Sequence, residues 1–181
     1  MRDSRLWFVG LTALVAALRL VELRISARNE RRLRAQGGSE RGAGHYPAMV
    51  AVHAGMLVAG PLEVFLLDRP LLPPLAASMG AIVAAAMTLR YWAIVTLGAR
   101  WCTRVIVLPG APLVRSGPYR FLRHPNYLAV AFEVAALPLV HTAWLTAAVF
   151  GGLDLVVLRL RIRVEDAALP RTAADTERKV S

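Results

Sequence analysis

Cysteine occurs once in this chain, as Cys102, which excludes an internal disulfide and any metal site built on clustered thiolates. Histidine is nearly as scarce, with four residues and no close His/Cys spacing, so no metal centre is expected. No Gly-x-Gly-x-x-Gly stretch is present, which removes the phosphate-cradling turn of Rossmann-type nucleotide folds. Acidic residues number 12 against 22 basic ones, a net charge of +10. That excess would suit nucleic acid, but the arginines fall between apolar runs instead of on one folded face, so no nucleic-acid partner is expected. Polar sequence as a whole is in short supply. With 56% hydrophobic residues, the chain is too apolar for an ordinary soluble domain and belongs in a bilayer.

The apolar runs predict an all-α, polytopic membrane bundle of about five helices. The first run, residues 6–25, follows Arg2 and Arg5 and lacks an Ala-x-Ala cleavage pattern, so it reads as a retained span with an amphipathic extension to Ala35. Arg19 and Glu22, three apart on one face, are expected to neutralise each other near the end of that span, with Arg19 close enough to the interface to snorkel. Polar sequence rich in arginine continues to Pro47, broken at Gly37-Gly38 and Gly42-Ala43-Gly44. Two further spans, residues 48–67 and 71–97, form a hairpin about Asp68-Arg69-Pro70. Ala77, Ala81 and Ala85 offer a small-residue stripe for close helix approach. His53, Glu63 and Arg90 are the polar exceptions, read mainly as satisfied interhelical contacts. Val105-Ile106-Val107-Leu108 is a short β-branched or re-entrant piece. The apolar stretch 127–162, interrupted at Pro138 and His141, is too long for one crossing and reads as a final tight hairpin.

Loop charge sets the orientation. An external N-terminus places most arginines inside and leaves Arg2, Arg5 and Arg69 outside. The chain then divides into a three-helix membrane portion (1–97), a portion carrying the polar motifs (98–169) and a flexible tail (170–181).

Two polar segments stand out, both on the inner side. In the first, residues 113–127, Gly117-Pro118 and His124-Pro125 each force a turn or helix start, with Ser116, Gly117 and His124 as caps. A helix beginning at Pro125-Asn126-Tyr127 beside Arg120 and Arg123 presents unsatisfied N–H groups, which suits an anion or simply lipid headgroups. In the second, Arg161 and Glu165 lie four apart on one face where the last helix leaves the membrane. An i,i+4 ion pair explains them as well as a binding site does.

Taken together, Leu113-Val114-Arg115-Ser116-Gly117-Pro118-Tyr119, then Arg120-Phe121-Leu122-Arg123-His124-Pro125-Asn126-Tyr127, then Arg161-x-x-x-Glu165-Asp166-x-x-Leu169, resemble the isoprenylcysteine carboxyl methyltransferases and their bacterial relatives. The likeness runs from about Gly98 to Leu169. It implies an integral membrane enzyme that moves a methyl group from S-adenosylmethionine to a lipophilic acceptor, a small molecule arriving from the bilayer. It further implies that Leu113, Val114, Tyr119, His124, Pro125, Asn126, Tyr127 and Glu165 hold the cofactor and that Arg161 meets the acceptor, Arg161 and Glu165 forming the catalytic pair. Asp166 stands where a second glutamate is common, and Pro170-Arg171-Thr172-Ala173-Ala174-Asp175 replaces the usual aromatic-glycine segment that closes the cofactor pocket.

A carboxylate acceptor needs no base and suits paired hydrogen bonds from Arg161. A phenol, with a free pKa near ~10, needs proton removal by Glu165, Asp166 or His124. The high ratio of arginine to lysine and the alanine content suggest a bacterial inner membrane, where a small alkylated or prenylated lipid is at least as fitting as isoprenylcysteine. Two other functions share the architecture: an NADPH-dependent membrane reductase of the sterol-reductase type and a non-enzymatic membrane scaffold.

Overall fold

The computed structural model describes residues 2–168, with side chains from residue 3 onward. Expectations about Leu169, the residues after it and the flexible tail lie outside this range. Five helices carry the chain: α1 (Arg2–Ala35), α2 (Tyr46–Leu66), α3 (Pro73–Leu97), α4 (Pro125–Leu139) and α5 (Trp144–Ala168). Two three-residue strands, β1 (Ser39–Arg41) and β2 (Val105–Val107), pair antiparallel with Glu40 opposite Ile106. The fold is thus the all-α bundle that the apolar runs predict.

Why α1 is one unbroken helix is visible in its buried residues. Phe8, Thr12, Val15, Glu22, Ser26, Asn29 and Leu33 recur every three or four positions, with Arg19 on the same stripe. Such spacing keeps a single face inward for the whole length. By contrast Leu6, Trp7, Leu14, Leu20 and Val21 are exposed. α1, α2 and α3 are long and apolar enough to cross a membrane, and no more than 28% of the most apolar window of each is buried inside the bundle. The remainder of that apolar surface is satisfied by lipid. α4, with 15 residues, is shorter than a full crossing. α3 packs on α4, α4 on α5 and α5 on α2, while α1 lies along α2.

Two expectations require correction. The Ala77, Ala81 and Ala85 stripe is exposed, and α3 packs instead through Val83, Ala86, Arg90 and Ala93. Arg19 does not snorkel: its guanidinium bonds Glu22 at 2.5 Å and Glu133 at 3.1 Å, and Glu22 is shared with Arg90 at 2.7 Å. The reason is that α3 and α4 bring Arg90 and Glu133 against this part of α1, so Arg19 and Glu22 find partners inside the bundle. Of the two readings of residues 105–108, the β-branched one holds: residues 105–107 form a strand, and residues 39–41 pair with them. Glu40 locks that pair by accepting from Arg104 at 2.6 Å and from Arg34.

The interhelical reading of Glu63 holds. Its carboxylate accepts from the backbone N–H groups of Leu145 and Thr146 at 3.1 and 2.7 Å, capping α5 from a neighbouring helix, and from Arg69 at 2.9 Å.

Candidate active site

The segment between α3 and α4 is fixed at both ends. Asn29 donates to the carbonyls of Gly98 and Trp101 at 3.1 and 2.8 Å, and the Thr103 amide donates to Ser26 at 2.8 Å, so α1 holds residues 98–103 against the bundle. Further on, Gly117–Arg120 make one 3-10 turn against α3. Gly117 takes φ +53°, and a Cβ there would come within 2.4 Å of Thr96 Oγ1. Only glycine fits both the conformation and the space. Pro125 then opens α4 as anticipated, although neither Ser116 nor His124 caps with its side chain: the His124 carbonyl accepts the amides of Tyr127 and Leu128 at 3.1 and 3.2 Å.

Tyr127 projects from the first turn of α4 onto the last turns of α5. Its hydroxyl donates to Glu165 in a short hydrogen bond and accepts from Arg161 Nε at 2.7 Å. No ion pair joins Arg161 to Glu165. The phenol stands between them, so the expected i,i+4 pair is replaced by a three-residue relay. The His124 ring stacks on Tyr127 with centroids 5.3 Å apart. Its Nε2 lies 3.0 Å from Asp166 Oδ1 and its Nδ1 3.7 Å from Glu165 Oε1. Arg123 also meets Asp166, at 3.0 Å. The carbonyl oxygen of the Asn126 side chain is buried without a partner among the described residues. An unpaired buried acceptor costs free energy unless a ligand completes it.

Two cavities meet at this relay. A polar one of about 110 Å³ runs among Arg100, Arg104, Tyr119, His124 and Glu165. An apolar one of about 360 Å³ opens between α1 and α2, walled by Leu20, Leu23, Val50, Leu57, Val130 and Leu158. Trp101, Cys102, Asn126, Tyr127 and Arg161 line both and form the partition.

Of the residues that the sequence singled out, Tyr119, His124, Asn126, Tyr127, Arg161 and Glu165 are gathered around the polar cavity. Leu113, Val114 and Pro125 are not among its lining residues. Leu113 is 37% exposed on the surface, and Pro125 is buried as the first residue of α4. Trp101 and Cys102 escaped the reading, since a tryptophan and a lone cysteine in a loop carry no motif. Asn29 and Ser26, which hold that loop, had a signal: they are polar residues on the buried stripe of α1. Burial, and then the charge of Glu165, raise the Tyr119 phenol well above its ordinary pKa. Burial pushes the Cys102 thiol up to about 11. Both groups are therefore neutral hydrogen-bonding walls at physiological pH.

The chemistry of the donor set suits S-adenosylmethionine. A carboxylate and aromatic faces complement a sulfonium, and an orphaned amide oxygen can accept from an ammonium or amino group.

Comparison with known proteins points the same way. The model of the isoprenylcysteine carboxyl methyltransferase (ICMT) family matches residues 78–171. An uncharacterized protein of Bacillus subtilis, YpbQ, is 35% identical over 88% of this chain and 94% of its own length. An uncharacterized protein of Haemophilus influenzae is 29% identical over 90% of this chain and 95% of its own length. No solved structure matches the chain significantly.

Proposed function

The chain belongs to the isoprenylcysteine carboxyl methyltransferase family, and from that premise we propose that it transfers the methyl group of S-adenosylmethionine to a lipophilic acceptor taken from the bilayer. One observation carries this reading: a polar cavity and an apolar cavity share a partition built of Asn126, Tyr127 and Arg161. A zwitterionic cofactor enters from water and a lipid from the membrane, so the two need separate approaches that converge.

In this reading Tyr119, His124, Asn126 and Glu165 hold the cofactor, which supplies an electrophilic methyl carbon on sulfur. Arg161, 4% exposed, meets the acceptor oxygen from the partition. Tyr127 fixes Arg161 and Glu165 relative to each other. Direct displacement asks chiefly for alignment of nucleophile, carbon and leaving sulfur, which is what a rigid relay supplies. Asp166 and Arg123 act through His124, setting its ring against Tyr127. Loop charge orients this side toward the cytosol of a bacterial inner membrane.

Calorimetric titration of the detergent-solubilised protein with S-adenosylhomocysteine and with NADPH tests the reading. Binding of the first alone, lost in Glu165→Ala, is the expected result. Binding of NADPH alone would make the protein a reductase, and binding of neither, with unaltered behaviour of Glu165→Ala and His124→Ala, a scaffold.

A further inference from the structure

The apolar cavity is not apolar throughout. Beside the partition residue Cys102, Thr103 Oγ1 lies 2.9 Å from Ser26 Oγ on α1 and 3.4 Å from the Tyr46 hydroxyl on α2, which marks the level of the partition on both helices. Arg19 stands seven residues from Ser26, and His53 seven from Tyr46, so each sits about two helical turns, roughly 10 Å, away from that level. Both line the cavity, together with Arg90 from α3. Past them the wall continues through Ala16 and Leu57, which offer no polar side-chain atom.

Two polar atoms at this inner level have nothing to bond. His53 Nδ1 lies 2.8 Å from the Met49 carbonyl oxygen of its own helix. A carbonyl only accepts, so Nδ1 carries the proton of the neutral ring, and Nε2, on the opposite edge, holds a lone pair turned away from α2. Arg90 spends Nε and Nη2 on Glu22, at 3.0 and 2.7 Å, and leaves Nη1 unused. Among the described residues nothing bonds His53 Nε2 or Arg90 Nη1. Neither is sealed off by packing, as the unpartnered Arg19 Nε is. A cavity wall that keeps an acceptor and a donor open at one level is costly unless a ligand completes them.

We propose that this inner level is a second binding site for the acceptor lipid and that the group it takes is a neutral hydroxyl. The inference rests on the methyltransferase reading and deepens it, since the acceptor then carries two oxygen functions. One is the reacting oxygen at Arg161, and the other is a hydroxyl farther along the molecule that donates to His53 Nε2 and suits Arg90 Nη1 as an acceptor. Charge decides against the alternatives. An ammonium would face Arg19 and Arg90, and a carboxylate would face the lone pair of Nε2. Arg19 and Arg90 are already balanced by Glu22 and Glu133, so either ion would bring uncompensated charge into the bundle. Asp154, the other carboxyl buried nearby, does not line the cavity. Met49 places its sulfur 3.1 Å from Arg161 Nη1, and His53 follows it by one turn of α2. The two oxygens of the acceptor are therefore one to two turns apart, roughly 6–10 Å. A plain prenyl or alkyl tail would leave both open atoms unpaired.

The test uses the full chain in lipid nanodiscs, loaded with S-adenosylhomocysteine. The probes are dodecylphenol and dodecanoic acid, each plain and with one hydroxyl at the stated spacing from the head oxygen, so neither reacting head is presupposed. Affinity is read from the rise in melting temperature. In at least one pair the hydroxylated member is expected to bind the wild type about 10-fold tighter than the plain one, because a site with polar atoms set out for a hydroxyl penalises the analogue lacking it. That preference should vanish in His53→Phe and return in part in His53→Gln, whose amide oxygen again accepts. S-Adenosylhomocysteine should bind both variants within a few-fold of the wild type. No preference in the wild type, as a water-filled niche would give, a preference undiminished in His53→Phe, or binding of no probe overturns the inference while leaving the methyltransferase reading in place. Absence of S-adenosylhomocysteine binding by the wild type removes both.

Discussion

Tyr127 is the residue on which the two halves of the site hang, because one hydroxyl serves a donor on α5 and an acceptor one turn further along it. Tyr127→Phe deletes that oxygen and leaves Arg161 Nε and Glu165 each short of a partner, at a cost of about 1–3 kcal/mol. The fold should persist, since the ring and its stack with His124 remain. Methyl transfer is expected to fall about 10- to 100-fold, as for other residues that orient a ligand-binding group, and Arg161→Lys should not be spared, since an ammonium lacks the planar fork. Rates for both variants, with circular dichroism as the control, check this. Cys102 offers a second probe. Its raised pKa leaves almost no thiolate at neutral pH, so alkylation by iodoacetamide should be slow at pH 8 and slower still with S-adenosylhomocysteine or a lipid phenol present, because the thiol faces both cavities. Rapid labelling insensitive to either ligand would contradict the shared partition. At this scale the family resemblance brought His124, Asn126, Tyr127, Arg161 and Glu165 forward together, while local pattern gave only the start of α4 at Pro125 and the shared face of Arg161 and Glu165. Leu113 and Val114 were not, because an apolar residue in a loop gives no sign of which way it faces.

Elements formed where local sequence dictated them and surprised where pairing was remote. The 3.5-residue rhythm of α1 and the proline starts of α2, α3 and α4 are local facts. The α3 stripe was misplaced because small residues recur on more than one face of an alanine-rich helix, and only the positions of α4 and Arg90 decide which face turns inward. β1 and β2 lie more than sixty residues apart, and their union depends on Glu40 bridging Arg34 and Arg104. Burial pushes the Glu40 carboxyl upward, but the hydrogen bonds from Arg104 and Arg34 outweigh it and hold its pKa below the usual carboxylate range. A lowered folded-state pKa means stabilisation that is complete above the unfolded value of ~4.3 and lost as pH falls through the folded value. Protection of the amides at residues 105–107, relative to their intrinsic exchange rate at each pH, should therefore be constant from neutral pH down to about 5 and fall below about 4. Protection that instead fails near neutrality would rule out Glu40 as the clasp. Since β2 lines the polar cavity, cofactor binding should weaken over the same acid range.

For the whole molecule, the charges inside the bundle matter most. Arg19, Glu22, Arg90 and Glu133 join three helices at the deep end of the apolar cavity, where membrane-buried charge persists only when paired. Sequence showed the Arg19–Glu22 pair within α1 and marked Arg90 as a polar exception, but Glu133 and the contacts from α3 and α4 went unread, because they join residues remote in the chain. Glu22→Ala leaves Arg90 and one bond of Arg19 uncompensated and should cost about 3–5 kcal/mol, seen as a large drop in melting temperature with loss of monodispersity in detergent. Conversion of Glu22 to Gln, which keeps the shape and one acceptor, should cost less. A Glu22→Ala protein as stable as the wild type would mean that these helices are held by packing alone. The account as a whole stands on convergence of a watery pocket and an oily one at a single partition. Its most direct test is a structure grown from a lipidic phase with S-adenosylhomocysteine bound. The account predicts the sulfur of that ligand against Asn126, Tyr127 and Arg161, facing the apolar cavity across them. A ligand seated away from Glu165, or with its sulfur turned from that partition, would contradict it.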